Sequence, residues 1–118
     1  MTEAHQLGKI EISPTAVASI AGQATLSCYG VVGMSAGNLR NGLAVLLQRE
    51  NYRRGVHVKL QDSLILINVH VIIQYSTRIS EVAHNIMESI QFSVEKALGV
   101  SVTQINVHVQ GLRVNIES

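Results

Sequence analysis

The chain is poor in aromatic residues, cysteine and charge. Its 118 residues include one Phe, three Tyr and no Trp, which leaves little material for stacking on nucleic-acid bases. A single cysteine, Cys28, cannot form an internal disulfide, and this favours a reducing compartment. Nine basic and eight acidic side chains give a formal net charge of +1. No overall field therefore attracts the protein to nucleic acid or to an acidic surface.

Long apolar runs are also missing. The longest, Leu64 to Ile73, is interrupted by Asn68 and His70 and is shorter than the roughly 20 residues that a membrane-spanning helix needs. Residues Met1 to Ile12 carry several charges and no apolar segment typical of a signal peptide. We therefore expect a soluble, cytoplasmic protein. Because 47% of the residues are apolar, we also expect one domain over residues 1–118 with a single core.

The most informative pattern that is present is an alternation of apolar and polar residues. Apolar side chains at every second position from Ile65 to Tyr75 alternate with positions that include Asn68, His70 and Gln74. The same period returns between Gln104 and Gln110. Such segments are strands with one apolar and one polar face, so one face of a sheet carries the core and the other is free to meet a partner.

The first of these strands is predicted to close a hairpin. A period of two begins at Val56, and Asp62-Ser63 has the composition of a two-residue turn. Pairing Gln61 with Leu64 places Leu60, Val58 and Val56 opposite Ile65, Ile67 and Val69. All six apolar side chains then share one face, so the register agrees with the hydrophobic pattern.

Helical periodicity marks two further segments. Ser13 and Pro14 are suited to the N-cap and first position of a helix whose apolar stripe includes Val17, Ile20 and Ala21 and continues to Cys28, with Gly30 ending it. A longer stripe predicts a helix from about Ser80 to Leu98, which Gly99 stops.

The remaining segments are predicted from shorter signals. Gly8 to Ser13 is expected to be a brief first strand, and Val31 and Val32 a short strand in a tight connection from Gly30 to Gly37. Leucines at 39, 43, 46 and 47 fit a second, shorter helix from about Asn38 to Asn51. The last strand should run from Thr103 to Gly111, where a change of phase predicts a bulge or turn.

Together these elements predict an α+β fold in the order βα(α)ββαβ. Helices should cover one face of a mixed sheet of three to five strands, with the last strand parallel to the strand Leu64 to Tyr75 through a right-handed crossover. The expected core residues are Val17, Ile20, Ile67, Val69, Val71, Ile86, Ile90, Val107 and Val109.

Three histidines, His57, His70 and His108, are predicted to lie on the polar face of this sheet. In the hairpin register His57 is opposite Asn68 and diagonal to His70, about 7 to 8 Å away. These imidazoles are candidates for a zinc or nickel site or for a protonation switch near pH ~6.5. The alternative is that histidine is simply tolerated on a solvated strand. Because structural zinc usually has four ligands and no Cys, Asp or Glu accompanies these residues, we assign no metal site.

A second candidate is a basic patch formed by Arg49, Arg53, Arg54 and Lys59. It suits a phosphate, an anionic headgroup or a protein partner, although such clusters are often only a solvated face. Nucleic acid is an unfavoured partner because only Tyr52 is interleaved with these charges.

Catalytic and cofactor patterns are not recognised in the sequence. Cys28 falls on an apolar helix stripe, where it packs as core. The glycines at 30, 33 and 37 match neither phosphate-loop pattern. We therefore expect no enzyme activity, no catalytic residues and no cofactor.

Five short motifs in order resemble the alkaline-shock-protein family, also called the Asp/Gls envelope-stress-response family. They are Gly8-Lys-Ile-Glu-Ile-Ser13, Val17-Ala-Ser-Ile-Ala-Gly-Gln-Ala24, Gly30-Val-Val-Gly-Met34, Gly55-Val-His-Val58 and Asn106-Val-His-Val-Gln-Gly111, with a glycine- and leucine-rich segment from Gly37 to Gln48 between them. The resemblance covers nearly the whole chain. It implies a non-enzymatic, self-associating cytoplasmic protein of Gram-positive bacteria, held in some members at the inner membrane surface by a membrane-anchored relative. The chain lacks the charged tails of longer members.

Two functional classes follow. The first is a self-associating scaffold for envelope or alkaline stress, which uses the polar sheet face or an open sheet edge. The uncharged segment Leu64 to Tyr75 must then be covered on both edges or used as a contact. The second is a small regulatory binding module that recognises an anionic ligand or nucleic acid through the arginines and histidines.

Overall fold

The structure is a computed structural model that describes residues 12–40, 43–62, 64–75 and 77–113. Two α-helices, five strands and a 3-10 helix are present within these residues. In chain order they are α1 (Pro14–Leu26), β1 (Val31–Arg40), β2 (Leu43–Leu46), the 3-10 helix (Arg49–Gly55), β3 (Val56–Gln61), β4 (Leu64–Gln74), α2 (Ile79–Leu98) and β5 (Gln104–Arg113). The predicted first strand, Gly8 to Ser13, lies outside the described residues except for Ile12 and Ser13, which lead into α1.

The strands form a mixed five-stranded sheet centred on β4. β5 pairs in parallel with β4 from Leu66 to Gln74 and occupies one edge of it. β3 and the start of β1 both run antiparallel to β4 and share its other edge, with β3 pairing as far as Val69 and β1 beginning at Val71. Both edges of the uncharged central strand are therefore covered, and the predicted parallel pairing of the last strand is confirmed.

The hairpin of β3 and β4 has the predicted register. Gln61 pairs with Leu64, Leu60 with Ile65, Val58 with Ile67 and Val56 with Val69. Asp62 in the turn has a φ of 56°, which is the left-handed conformation that a tight hairpin turn requires and that Asp tolerates better than most residues.

The start of α1 is as predicted, whereas its end is not. The Ser13 Oγ accepts a hydrogen bond from the Ala16 backbone N at 3.3 Å, and Pro14 occupies the first turn. The helix ends at Leu26, before the expected stop at Gly30. Cys28 therefore follows the helix, although its Sγ still donates to the Ala24 carbonyl at 3.3 Å. Gly30 has a φ of 90°, which reverses the chain into β1.

The second helix, α2, is also close to its predicted bounds. Its buried stripe consists of Val82, Ile86, Ile90 and Val94. Gly99 forms the C-cap with a φ of 67°. After this cap, the Val102 backbone N donates to the Glu95 carboxylate at 3.0 Å, which fixes the connection into β5.

The core lies between the two helices and one face of the sheet. Val17, Ala21, Ile86 and Ile90 of the helices are fully buried against the odd-numbered apolar residues of β4. All but three of the predicted core residues are fully buried. Those three, Ile20, Val107 and Val109, are partly buried and pack on the edge of the core.

The predicted short helix from Asn38 to Asn51 is wrong. Most of this segment belongs to β1 and β2, which pair antiparallel with Arg40 opposite Leu43, and β1 continues well beyond the two residues predicted for it. Leu46 packs where a side chain at Gly33 would be, since a Cβ there would lie 2.8 Å from its Cδ1. Leucines spaced for a helix thus contact another strand. The helical residues that do occur form the 3-10 helix, Arg49–Gly55.

The predicted irregularity at Gly111 is confirmed as a bulge. Val71 pairs with Val109, but the next residue, Ile72, pairs with Gly111, so that Gln110 is an extra residue in β5. The bulge restores the apolar phase, and Leu112 then pairs with Ile73.

Candidate functional site

Three histidines from adjacent strands form a continuous row on the sheet face opposite the helices. We call His57, His70 and His108 the histidine row. His70 of β4 is paired directly with His108 of β5, and their rings stack with centroids 4.7 Å apart and an interplanar angle of 16°. His57 of β3 meets His70 edge-on, with a centroid distance of 5.1 Å. The three rings therefore share the polar face on which the alternation of the strands places them.

A ladder of side-chain amides lies beside the histidine row. The Asn68 Oδ1 accepts a hydrogen bond from Nδ2 of Asn106 at 3.1 Å and lies 3.0 Å from Nε2 of His108. Since an amide oxygen only accepts, the second contact requires a hydrogen on that histidine nitrogen. Gln104 donates in turn to Asn106 at 3.0 Å. Asn68 thus orients His108, a role that its place in the polar alternation did not reveal.

His70 is the most confined member of the row. Its Nδ1 is buried and has no hydrogen-bond partner among the described residues. Burial lowers the pKa of His70 below its ordinary value, and the neighbouring His108 and His57 lower it further because two charged imidazoles repel. The neutral form is therefore favoured, and its ring contributes an apolar surface between its neighbours.

The arrangement of the rings is not that of a metal centre. The lone pair of an imidazole nitrogen lies in the ring plane, so two nearly parallel stacked rings do not direct their nitrogens at one point between them. Within the described part of the chain, no group of three or more His, Cys, Asp or Glu is arranged to hold a metal ion.

The structure divides the predicted basic patch. Arg53 and Arg54 line an open pocket of about 450 Å³ together with His57 and the first turn of α1. Lys59 lies on the exposed polar face of β3 and is not one of the residues that line this pocket. Arg49 begins the 3-10 helix, and its side chain is outside the described residues. Sequence reasoning missed Pro14 and Thr15, which form the opposite wall, because nothing local links them to residues 53–57.

Cys28 has the surroundings of a structural thiol. It is half-buried and packs against the core. Burial raises the pKa of the Cys28 thiol, an effect that a hydrogen bond with Ser89 partly offsets. A thiol with a raised pKa is a poor nucleophile at neutral pH.

None of the helices in the described ranges combines the length and the apolar character needed to cross a membrane.

The fold and the site together define a small α+β domain with two helices on one sheet face and a histidine- and amide-rich surface on the other. The chain belongs to the alkaline-shock-protein family, described as having a cell envelope-related function, whose model matches residues 2–114. This confirms the family resemblance that the five motifs predicted.

Two bacterial relatives match nearly their whole length. The chain is 42% identical to the uncharacterized protein YloU of Bacillus subtilis over 108 residues, which are 91% of this chain and 90% of YloU. It is 37% identical to the uncharacterized protein Spy1614 of Streptococcus pyogenes over 108 residues, covering 91% and 89% of the two chains. A solved structure of MamM V260R resembles the fold with a TM-score of 0.50 at 14% identity, covering 89% of this chain and 100% of that one. At this identity the likeness concerns the fold alone.

Proposed function

We propose that the protein is a non-enzymatic scaffold with an envelope-related function, which associates with copies of itself through the free edge of β5. The family supports the envelope-related part of this proposal. The single observation that carries the self-association is the character of β5. It is a ten-residue strand that pairs, among the described strands, with β4 alone.

The free edge of β5 has almost none of the features that prevent pairing between chains. From Gln104 to Leu112 the strand contains no Lys, Arg, Asp, Glu or Pro. Its apolar residues Ile105, Val107 and Val109 are only partly buried. Natural sheets protect exposed edges with charged residues, prolines or short strands, and a long uncharged edge favours pairing with another strand. The bulge at Gly111 limits regular pairing at one end only.

A second copy of the chain is the simplest partner for this edge. Two β5 strands that pair antiparallel about a two-fold axis make the same contacts in both directions and extend the sheet across both protomers. The half-exposed side chains Ile105, Val107 and Val109 would then be covered by their counterparts. α2 contacts β5 in each protomer, so the two helices flanking the interface would also come close together.

The polar face of the sheet remains open in such an assembly. The histidine row and the amide ladder would be repeated on the same side of an extended sheet. We propose that this surface receives a membrane-anchored partner, which would hold the scaffold at the cytoplasmic face of the membrane. Hydrogen-bonding side chains that are already oriented, such as Asn68 and His108, suit a specific polar contact.

Light scattering coupled to size-exclusion chromatography tests the self-association. We expect the wild-type chain to elute with a mass above the 12.8 kDa of one protomer. The double variant Gln104→Lys/Gln110→Lys places two lysines on each edge, where they repel those of a second copy. It should elute as a monomer at the same concentration.

The control variant carries the same substitutions away from the edge. Gln23 on α1 and Gln91 on α2 are both exposed, so Gln23→Lys/Gln91→Lys adds equal charge to the helical side of the molecule. It should keep the wild-type mass. A wild-type chain that is monomeric at high protein concentration would contradict the proposal, as would equal masses for the edge variant and the wild type.

A further inference from the structure

The pocket at the β3 edge is a separate feature from the β5 edge and the histidine row. It lies between the first turn of α1 and the junction of the 3-10 helix with β3, and its volume is about 450 Å³. Val56 and Ala18 form a buried apolar base. Arg53, Arg54 and His57 are exposed at its rim. The pocket therefore combines an apolar floor with basic side chains.

The charge of this pocket is of one sign. No Asp or Glu is among the residues that line it. Within the described residues, neither arginine forms an ion pair. The Arg53 Nη1 donates to the Ser19 hydroxyl at 3.3 Å, a neutral acceptor that orients the guanidinium without neutralising it. In a chain with a net charge of +1, two unpaired guanidinium groups in one pocket are a strong local concentration of charge.

The backbone that carries both arginines is held from two sides. The ring of Tyr52 packs against Gly22 of α1 so closely that a Cβ at Gly22 would collide with it. On the other side, a Cβ at Gly55 would lie 2.7 Å from the Ser35 carbonyl oxygen. Arg53 and Arg54 lie between these two close contacts. Their starting positions are therefore fixed, which reduces the entropy lost when a ligand is bound.

We propose that this pocket binds a phosphate group, either of a small soluble phosphate ester or of an anionic lipid headgroup. Planar guanidinium groups match the oxygens of phosphate and form charge-assisted hydrogen bonds with them. The apolar floor formed by Val56, Val58 and Ala18 would contact the carbon part of the ester. A nucleobase is a poorer fit, because no aromatic side chain of Phe, Tyr or Trp lines the pocket.

Backbone amide NMR of the labelled full-length chain tests this proposal with inorganic phosphate and glycerol 3-phosphate as probes. We expect saturable shifts at Thr15, Arg53, Arg54 and His57. The variant Arg53→Gln/Arg54→Gln should weaken binding by at least about tenfold. Arg54→Gln alone is a second test, since Arg54 makes no hydrogen bond within the described structure and its loss should not disturb folding.

The control variant removes two positive charges elsewhere. Arg78→Gln/Lys96→Gln alters exposed residues of the α2 region and gives the same net charge as the double arginine variant. It should bind both probes as the wild type does. Equal weakening in the control would overturn the proposal, because it would indicate general charge attraction only. The absence of saturable shifts with both probes would overturn it as well.

Sedimentation with vesicles distinguishes the two sources of phosphate. Vesicles of phosphatidylcholine are compared with vesicles that also contain phosphatidylglycerol. Sedimentation that requires phosphatidylglycerol, and that inorganic phosphate displaces, identifies a lipid headgroup as the ligand. Shifts with the soluble probes but no sedimentation identify a soluble ester. The Arg53→Gln/Arg54→Gln variant should keep the wild-type mass in light scattering, so a failure here is distinguishable from a failure of the β5 assembly.

Discussion

His70 shows how one residue acquires properties that its sequence position does not specify. It lies on the polar face of β4, yet its Nδ1 is buried because His57 and His108 flank the ring. A proton added to this ring would be poorly solvated and close to two other titratable rings. The folded state therefore resists protonation of His70.

This resistance predicts a loss of stability in mild acid. Because the folded-state pKa of His70 lies below the unfolded value of about 6.5, the unfolded chain binds the proton more readily. The contribution of His70 is complete above that unfolded value and is lost as the pH falls through it toward the folded pKa. Urea unfolding of the wild type at a series of pH values from neutral to mildly acidic should show this decline.

The substitution His70→Gln should flatten that pH dependence, because glutamine does not titrate. His84→Gln is the matched control, since His84 is exposed on α2 beside Glu88. It should keep the wild-type slope. If the slope of His70→Gln equals that of the wild type, the acid sensitivity does not arise from the histidine row.

The residues of the phosphate pocket illustrate the limit of local sequence reasoning. Arg53 and Arg54 are recognisable as a basic cluster because they are neighbours in the chain. Pro14 and Thr15 were predicted only as a helix start, a role that they also fill. The two pairs meet because the 3-10 helix packs on α1 through Tyr52 and Gly22. That contact depends on the tertiary fold and has no counterpart in the spacing of the residues.

Among the elements, the β3–β4 hairpin was the best predicted, and its physical reason is strict. The side-chain period of a strand is two, so a shift of one residue would place Lys59 or His57 in the core. A turn at Asp62 and the apolar phase of both strands must then agree, and only one register satisfies them. The stripe of α2 and the stop at Gly99 are similarly redundant signals.

The segment from Asn38 to Asn51 was predicted wrongly because its signal was a single pattern. Leucines spaced by three or four residues fit a helix, but β1 and β2 use them in a hairpin. Leu46 gains its contact at Gly33, which lies on the neighbouring strand. Tertiary packing therefore outweighed local periodicity, as it commonly does for short segments without strong caps.

The assignment of the inner face of α2 is tested by Ile90→Ala. Ile90 is fully buried between α2 and β4, so its truncation should lower the free energy of unfolding by about 2–5 kcal/mol. Met87→Ala on the same helix removes a side chain that is 38% exposed and should cost less than about 1 kcal/mol. Urea denaturation of both variants measures the difference. Equal midpoints would show that the buried stripe is assigned wrongly.

At the scale of the whole molecule, the two edges of the sheet differ in character. The β3 edge lies beside Arg53 and Arg54 and carries Lys59, all of which discourage pairing with another strand. The β5 edge has no comparable charge before Arg113. Assembly through β5 would therefore place the phosphate pockets of two protomers at opposite ends of the extended sheet. Both pockets would remain accessible, so that a dimer can engage two phosphate groups at once.

Such an assembly predicts that thermal stability depends on protein concentration. A dimer unfolds to two separate chains, so mass action raises the Tm as the concentration increases. The Tm of the wild type, followed by circular dichroism across a hundredfold range of concentration, should rise steadily. The Gln104→Lys/Gln110→Lys variant should have a Tm that is independent of concentration, whereas Gln23→Lys/Gln91→Lys should follow the wild type. A constant wild-type Tm would contradict a dimer whose unfolding is coupled to its dissociation, because the stability of each protomer would then owe nothing to its partner.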